Sequence, residues 1–570
     1  MAFARRNLRT LALLLVAGAT AFALLDPASA AKVVEVTVLG VYSTARMFAA
    51  YLLALLFSVA YGAAAASNKR AGAILLPVLD VLQSVPILGF FPAALLFFVN
   101  SFPRNPIGLE IAIVFLIFTS MAWNMAFGVY EALSTMPQDL EDASKVFGVR
   151  DWLRFRRLMF PAMVPKLVYN SMLSWTVGWF YLVASEAIQA GTELGTMTTL
   201  VRPGLGSWIF SAGARGDGAA IAIGIGVLGA VVLALDTFVW RPLSVWSERF
   251  RLDVTAGGEV PRVPGPYERL RWLPRFPRMR RTLRVWIAPV ARRWERVVAP
   301  LDRYYTAHPH VVRNVRRIDL AMFLVIFVIV IGAGLLGIAS MFTRPLPTGV
   351  SAIPNAILHS LARLALAYAL CAAWTIPVAA WIVRSPRASR YATPALEVVA
   401  SIPATALFPA IIAFSVLAVS AWSLQAELAA LLIALFAMQW YLLFNLIAGM
   451  RNLPADLDEA ARAFGLRGWT YWKRVLLPAV VPSLLTGSIT AWGAGWNALI
   501  VAEYISYGGT TYEVLGIGDL IASATYSASP QPELLYLSIL ALILVVLAMN
   551  KLLWRPLIRR ASKRFRYELV

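Results

Sequence analysis

Cysteine is nearly absent: Cys371 is the only one in 570 residues and sits in an apolar run, so no disulfide framework is available and a small buried thiol is expected. Histidine is almost as scarce. His308, His310 and His359 are scattered, and neither a zinc site nor a catalytic triad can be assembled from them. Charged residues make up 14% of the chain, against about a quarter in soluble domains, and acids are the scarcer sign, 30 against 51 basic residues. No Gly-x-x-x-x-Gly-Lys-Ser/Thr loop is present to cradle a nucleotide phosphate, so the chain is not expected to hydrolyse ATP. Gly224-x-Gly226-x-x-Gly229 fits a dinucleotide fingerprint, but it lies within an apolar span with no preceding strand and reads as close helix packing.

What the chain has is hydrophobicity in long blocks: 60% of residues are apolar, with a mean hydropathy of +0.70. Runs of roughly the 20 residues needed to span hydrocarbon fall at 10–25, 38–66, 72–98, 108–133, 162–187 and 218–240, then at 318–342, 351–384, 393–420, 425–449, 479–505 and 533–553. The pattern predicts an all-α polytopic membrane protein with six spans in each half. The first run has a basic start and is followed by Ala28-Ser29-Ala30, as in a cleavable secretory signal; its counterpart at Asp319–Phe342 favours an uncleaved first span.

The two halves repeat one another at a separation of 317 residues, without a gap from Arg46 to Glu186: Arg46/Arg363, Asp80/Glu397, Pro86/Pro403, Glu110/Glu427, Trp123/Trp440, Gly148/Gly465, Pro161/Pro478, Trp179/Trp496 and Glu186/Glu503. Such self-similarity marks a structural unit used twice. An even number of spans per copy makes the repeats parallel, with the pseudo-two-fold axis along the membrane normal. The domains expected are a first repeat at 1–240, a linker at 241–317 and a second repeat at 318–570.

The net charge of +21 does not point to nucleic acid, because more than half of it lies in one segment: 241–317 holds eighteen arginines against six acids. The other basic clusters fall on alternate sides of successive spans. By the positive-inside rule they place both termini, the linker and the 136–160 and 451–478 loops in the cytoplasm of a cell with an inner membrane. Within the linker, 251–281 is Pro/Arg-rich and extended. Residues 283–305 read either as a basic amphipathic helix on the anionic inner leaflet or as a solvated tether, Pro289 opposing one unbroken helix.

The most specific short signal lies in the loop after the fourth span. It reads Asp142-Ala143-Ser144, Gly148 and then Leu158, Phe160, Pro161 in the first copy, and Glu459-Ala460-Ala461, Gly465 and then Val475, Leu477, Pro478 in the second. An acid in the first turns of a short helix suits the helix dipole, the glycine permits a sharp turn, and the proline is read as allowing re-entry into the membrane. This loop resembles the EAA loop of ATP-binding-cassette (ABC) importer permeases, with Asp142 for Glu and Ser144 for Ala. Ser43/Arg46 and Ser360/Arg363, Ser84/Pro86 and Ser401/Pro403, Trp179/Glu186 and Trp496/Glu503, and Gly204/Gly206 and Gly516/Gly518 are similar to the nitrate/sulfonate/bicarbonate branch of that family.

The resemblance implies a type I importer transmembrane domain, in which Asp142, Ala143, Gly148, Pro161, Glu459, Ala460, Gly465 and Pro478 dock on ATPase subunits. It implies two copies of a cytoplasmic ABC ATPase that carry the ATP and Mg, a periplasmic or extracellular solute-binding protein, and no cofactor on this chain. The solute would be a small anion. Ferric iron is the alternative substrate, and an ion-gradient-driven transporter or a membrane scaffold are alternatives of another class. Within the membrane, Pro86, Pro403, Trp179, Trp496, Gly206 and Gly518 are candidates for a path or gate, broken third spans being a pointer to one. Arg46 with Glu186, and Arg363 with Glu503, share a depth and are read as ion pairs tying the second span to the fifth.

Overall fold

A computed structural model describes residues 27–67, 69–103, 105–149, 151–190, 202–250, 300, 347–451, 453, 455–527 and 531–564. The expected spans at 10–25 and 318–342, and the amphipathic helix at 283–305 apart from Pro300, lie outside them. The first half comprises α1 (Pro27–Ala66), α2 (Lys69–Ser84), α3 (Ile87–Ser101), α4 (Ile107–Ser134), α5 (Gln138–Val146), α6 (Phe160–Ala190), α7 (Leu205–Ala214), α8 (Gly218–Leu235) and α9 (Arg241–Ser247). The second repeats them as α10 (Ile353–Arg384), α11 (Pro386–Ala400), α12 (Phe408–Ala418), α13 (Trp422–Arg451), α14 (Ala455–Ala463), α15 (Leu477–Ala502), α16 (Ile517–Tyr526), α17 (Pro532–Met549) and α18 (Arg555–Arg564). Among the described residues, seven helices are long and apolar enough to cross a membrane, or eight if the bent pair α11 and α12 counts as one. The exposed face of α1 is apolar, with Val34, Val38, Val41, Leu52 and Leu56 outward. A stripe of that size marks contact with lipid rather than water.

The third span of each half is broken where the prolines predicted it. Pro86 (ψ 115°) and Pro403 (ψ 130°) leave the helical region, since Pro lacks the N–H that would continue the ladder; α11 and α12 are bent by 79°. Pro92 is accommodated inside α3. The freed segments cross over. α3 packs on α15, α16 and α17 of the second half, while α12 and the 3-10 turn before it, Ala404–Leu407, pack on α6, α7 and α8 of the first.

The seam between the halves obeys the repeat to the residue. The Leu88 N–H donates to Asn497 Oδ1 at 3.0 Å; at the equivalent positions the Thr405 hydroxyl donates to the Phe180 carbonyl at 3.1 Å. A Cβ on Gly89 would stand 2.9 Å from Leu542, and one on Gly213 2.8 Å from Pro409, so these glycines let the halves approach closely. The halves run parallel. At the end carrying α5 and α14, Arg555 of one half pairs with Asp80 of the other, and at the opposite end the Gly508 N–H donates to the Gly213 carbonyl at 3.0 Å.

Two features depart from the all-α expectation. Between α15 and α16, β1 (Tyr504–Tyr507) pairs antiparallel with β2 (Thr510–Glu513), turned by Gly508 (φ 60°) and Gly509 (φ 78°), the left-handed pair that a two-residue hairpin demands. Among the described residues, four π-helical turns occur at Phe155–Met159, Asp236–Trp240, Trp472–Leu476 and Asn550–Trp554. Each ends two residues before a proline: Pro161, Pro242, Pro478 and Pro556. A proline in a helix clashes with the carbonyl four residues back, and one extra residue in that turn relieves it. The helix runs through Pro161 and Pro478.

Candidate functional site

Two kinds of site emerge: a buried charge knot in each half, and a projecting helix in each half. In the first knot, Arg46 on α1 donates from Nη1 to Glu186 Oε1 (2.5 Å) and to the Pro203 carbonyl (2.9 Å). Its Nε and Nη2 grip Glu110 on α4 in a two-pronged bond of 2.7 and 2.8 Å. The Ser43 hydroxyl donates to Glu186 at 2.9 Å and accepts the Leu205 N–H, and the Gly206 N–H donates to Glu186 Oε2 at 2.8 Å. The second knot repeats its main bonds, with the Leu515 carbonyl accepting from Nη2 of Arg363 where the Pro203 carbonyl accepts from Nη1 of Arg46. Arg363 meets Glu503 at 2.6 Å and Glu427 at 2.6 and 2.8 Å; Ser360 donates to Glu503 and accepts the Ile517 N–H, and the Gly518 N–H completes Glu503 at 2.7 Å. Glu186 and Glu503 are both 0% exposed. A carboxylate removed from water needs this saturation, because an ion in a low-dielectric interior is tolerated only when its partners are in place.

The Arg46–Glu186 and Arg363–Glu503 pairs expected from depth are thus at contact distance. The sequence reading missed their third member. Glu110 and Glu427 stand 64 residues after their arginines in both halves, a recurrence visible in the repeat. It also gave Gly206 and Gly518 to the path; they belong to the knots, where a Cβ on either would meet backbone of α6 or α15 at 2.6 or 2.5 Å. The knots are not identical. Arg202 Nε lies 2.9 Å from Glu110 Oε1, giving the first two cations for two acids. In the second, Arg363 is, among the described residues, the one cation paired with Glu427 and Glu503, and Glu427 is more exposed than Glu110, 45% against 28%.

Of the path candidates, Pro86 and Pro403 lie at the seam beside the Leu88–Asn497 and Thr405–Phe180 contacts. Trp179 and Trp496 are buried in the hydrophobic cores. The seam contact falls one residue later, at Phe180 and Asn497, because a helix turns about 100° per residue.

The projecting helices are α5, with Asp142 and Ala143, and α14, with Glu459 and Ala460. Each ends in a Schellman motif. The Val149 N–H returns to the Ser144 carbonyl at 2.8 Å around Gly148 (φ 67°), and the Leu466 N–H to the Ala461 carbonyl at 2.9 Å around Gly465 (φ 66°). The inner side of each helix is tucked in, with Ser144 and Ala461 buried. Arg154 holds Glu141 at 2.7 Å in the first half; in the second, Arg384 lies over the rings of Tyr471 and Trp472. The outer tip of each carries Phe147 or Phe464, both 81% exposed. These phenylalanines were not singled out from sequence, although they precede the two glycines at equivalent positions.

A family model described as "Binding-protein-dependent transport system inner membrane component" matches residues 57–241 and again 372–554. Similar relatives include a nitrate import permease protein NrtB from Leptolyngbya laminosa, 30% identical over 196 residues, which are 34% of this chain and 64% of that protein. A bicarbonate transport system permease protein CmpB from Synechococcus elongatus is 23% identical over 210 residues, 37% of this chain and 67% of that protein. A glycine betaine/proline betaine transport system permease protein ProW from Salmonella typhimurium is 28% identical over 191 residues, 33% and 51%. The chain thus covers about two thirds or less of each of these relatives. With two matched segments that together span most of the described molecule, the chain belongs to the family of binding-protein-dependent transport system inner membrane components.

Proposed function

We propose that this chain supplies both membrane halves of an ATP-driven importer for a small oxyanion, and that α5 and α14 are its two levers. The observation that carries this reading is the symmetry of the lever tips. An exposed phenyl ring forgoes about 2 kcal/mol of burial. Two such rings, each followed by a left-handed glycine, at one end of the molecule and away from the apolar spans, suit a pair of equal grooves on two copies of a cytoplasmic ATPase. An external solute-binding protein would dock at the opposite end, where the β1–β2 hairpin lies.

The anion rests on two supports. The relatives named above are named for nitrate, bicarbonate and betaines, all of which present a planar oxygen-bearing group. In addition, α3 and the turn before α12 both begin at the seam, and a helix start favours negative charge. Closure and reopening of the ATPase pair would rock the halves about the seam, while the knots keep each half rigid. A nucleotide shifts such an equilibrium only by differential affinity for the two states.

The test is co-purification of the chain with the products of its neighbouring genes, followed by uptake of labelled nitrate and bicarbonate. Two ATPase subunits per chain and ATP-dependent uptake are expected; uptake that persists without an ATPase would establish the ion-gradient alternative instead. Phe147→Ser with Phe464→Ser is expected to lower ATPase retention at least tenfold while the chain stays monodisperse. Gly465→Val, which forces a β-branched residue to positive φ, should uncouple ATP hydrolysis from uptake and leave binding-protein docking intact.

A further inference from the structure

Both halves close on the same four residues, Trp-Arg-Pro-Leu at 240–243 and 554–557, yet their arginines are differently engaged. Arg241 turns back on its own helix, its Nε 2.9 Å from Asp236 Oδ2, the first residue of the preceding π turn. In the second half that first residue is Asn550, which has no charge to offer. Arg555 reaches across the seam instead and pairs with Asp80 on α2 of the first half. Asp80 lies one turn before α2 ends at Ser84, and α3 follows directly with the Leu88–Asn497 contact. The pair is therefore joined through a few residues to the seam itself, at the end that carries α5 and α14.

We propose that Asp80 and Arg555 form an electrostatic latch that holds this end of the seam together and must part for it to open. Its exposure suits the task. Asp80 and Arg555 are 44% and 49% exposed, so water can replace each partner and the pair can break and re-form. The buried knots offer no such exchange and stay intact while the latch cycles. The asymmetry is written in one position: an acid before Arg241 keeps that arginine at home, and an amide before Arg555 releases it.

The latch can be tested without ATPase or solute, so its failure would leave the importer reading untouched. In full-length protein in nanodiscs carrying Cys371→Ser, spin labels at Val146→Cys and Ala463→Cys report the separation of α5 and α14. Asp80→Lys is expected to raise the widely separated population about two- to fivefold, the range of a half-exposed ion pair. Asp80→Lys with Arg555→Glu should restore the starting distribution, and 0.5 M salt should mimic the single change in the unsubstituted protein. Should Asp80→Lys fold poorly, Arg555→Gln gives the same shift without a new charge. An unchanged distribution in the single variants, or failure of the exchanged pair to restore it, overturns the latch; the first result would assign Arg555 to lipid headgroups.

Discussion

Arg363→Met is expected to destabilise the protein by about 3–5 kcal/mol, the cost of leaving a buried charge without its partner. Glu503 would keep only the Ser360 hydroxyl and the Gly518 N–H, and Glu427 would lose both prongs of its bond. The same change in the first knot, Arg46→Met, should cost less, because Arg202 remains 2.9 Å from Glu110. Denaturant unfolding in detergent micelles, followed by tryptophan fluorescence, measures both. Equal losses would show that Arg202 contributes nothing, and a loss below about 1 kcal/mol at Arg363 would mean that the knot is not held by charge.

The second large effect is expected from one methyl group. A Cβ on Gly516 would stand 2.2 Å from Glu503 Cδ, and one on Gly204 2.3 Å from Glu186 Cδ. A free carboxylate would swing aside. These cannot, because an arginine, a serine hydroxyl and a backbone N–H hold each of them in place. Gly516→Ala and Gly204→Ala must therefore either displace the helix start or dismantle the knot. Overpacking costs 1–3 kcal/mol and a lost buried hydrogen bond 1–3 more, so a total of about 3 kcal/mol or above is expected. Gly229→Ala, whose Cβ would meet nothing within 4 Å, is the control. Folded yield on size exclusion after a heating series should fall for the first two and hold for the third.

Much of this was legible in the sequence because the chain states it twice. The 317-residue register located long apolar helices among the described residues, the broken third helices, the projecting loops and the Arg–Glu pairs, since a charge in hydrocarbon must find a partner at its own depth. Glu110 escaped because an acid in the first turn of a helix has an ordinary explanation in the helix dipole. Only its fixed distance from Arg46, the same in both halves, marks it as a ligand. The β1–β2 hairpin was also readable, as Tyr-Ile-Ser-Tyr-Gly-Gly-Thr-Thr-Tyr-Glu alternates about a two-glycine turn, but it falls where the strict register ends: the second copy is five residues shorter between the knot's glutamate and its glycine.

The π turns were hidden for a different reason. Proline announces a fault in the hydrogen-bond ladder but does not say whether the chain will turn, kink or take in one more residue. The phenylalanines at 147 and 464 were hidden because hydropathy places a side chain by its environment on average. An apolar ring left in water contradicts that average, and only coordinates reveal it.

Carrying both halves on one polypeptide frees each wall of the seam to evolve alone. Two identical subunits would have to set the same residue on either side of the axis, so a passing molecule would meet a surface and its duplicate. Here the amide side chain at 497 and the hydroxyl at 405 both come from the second half, and both meet backbone of the first, at Leu88 and Phe180. The seam has a left and a right, so an asymmetric molecule placed there would meet different chemistry at its two ends.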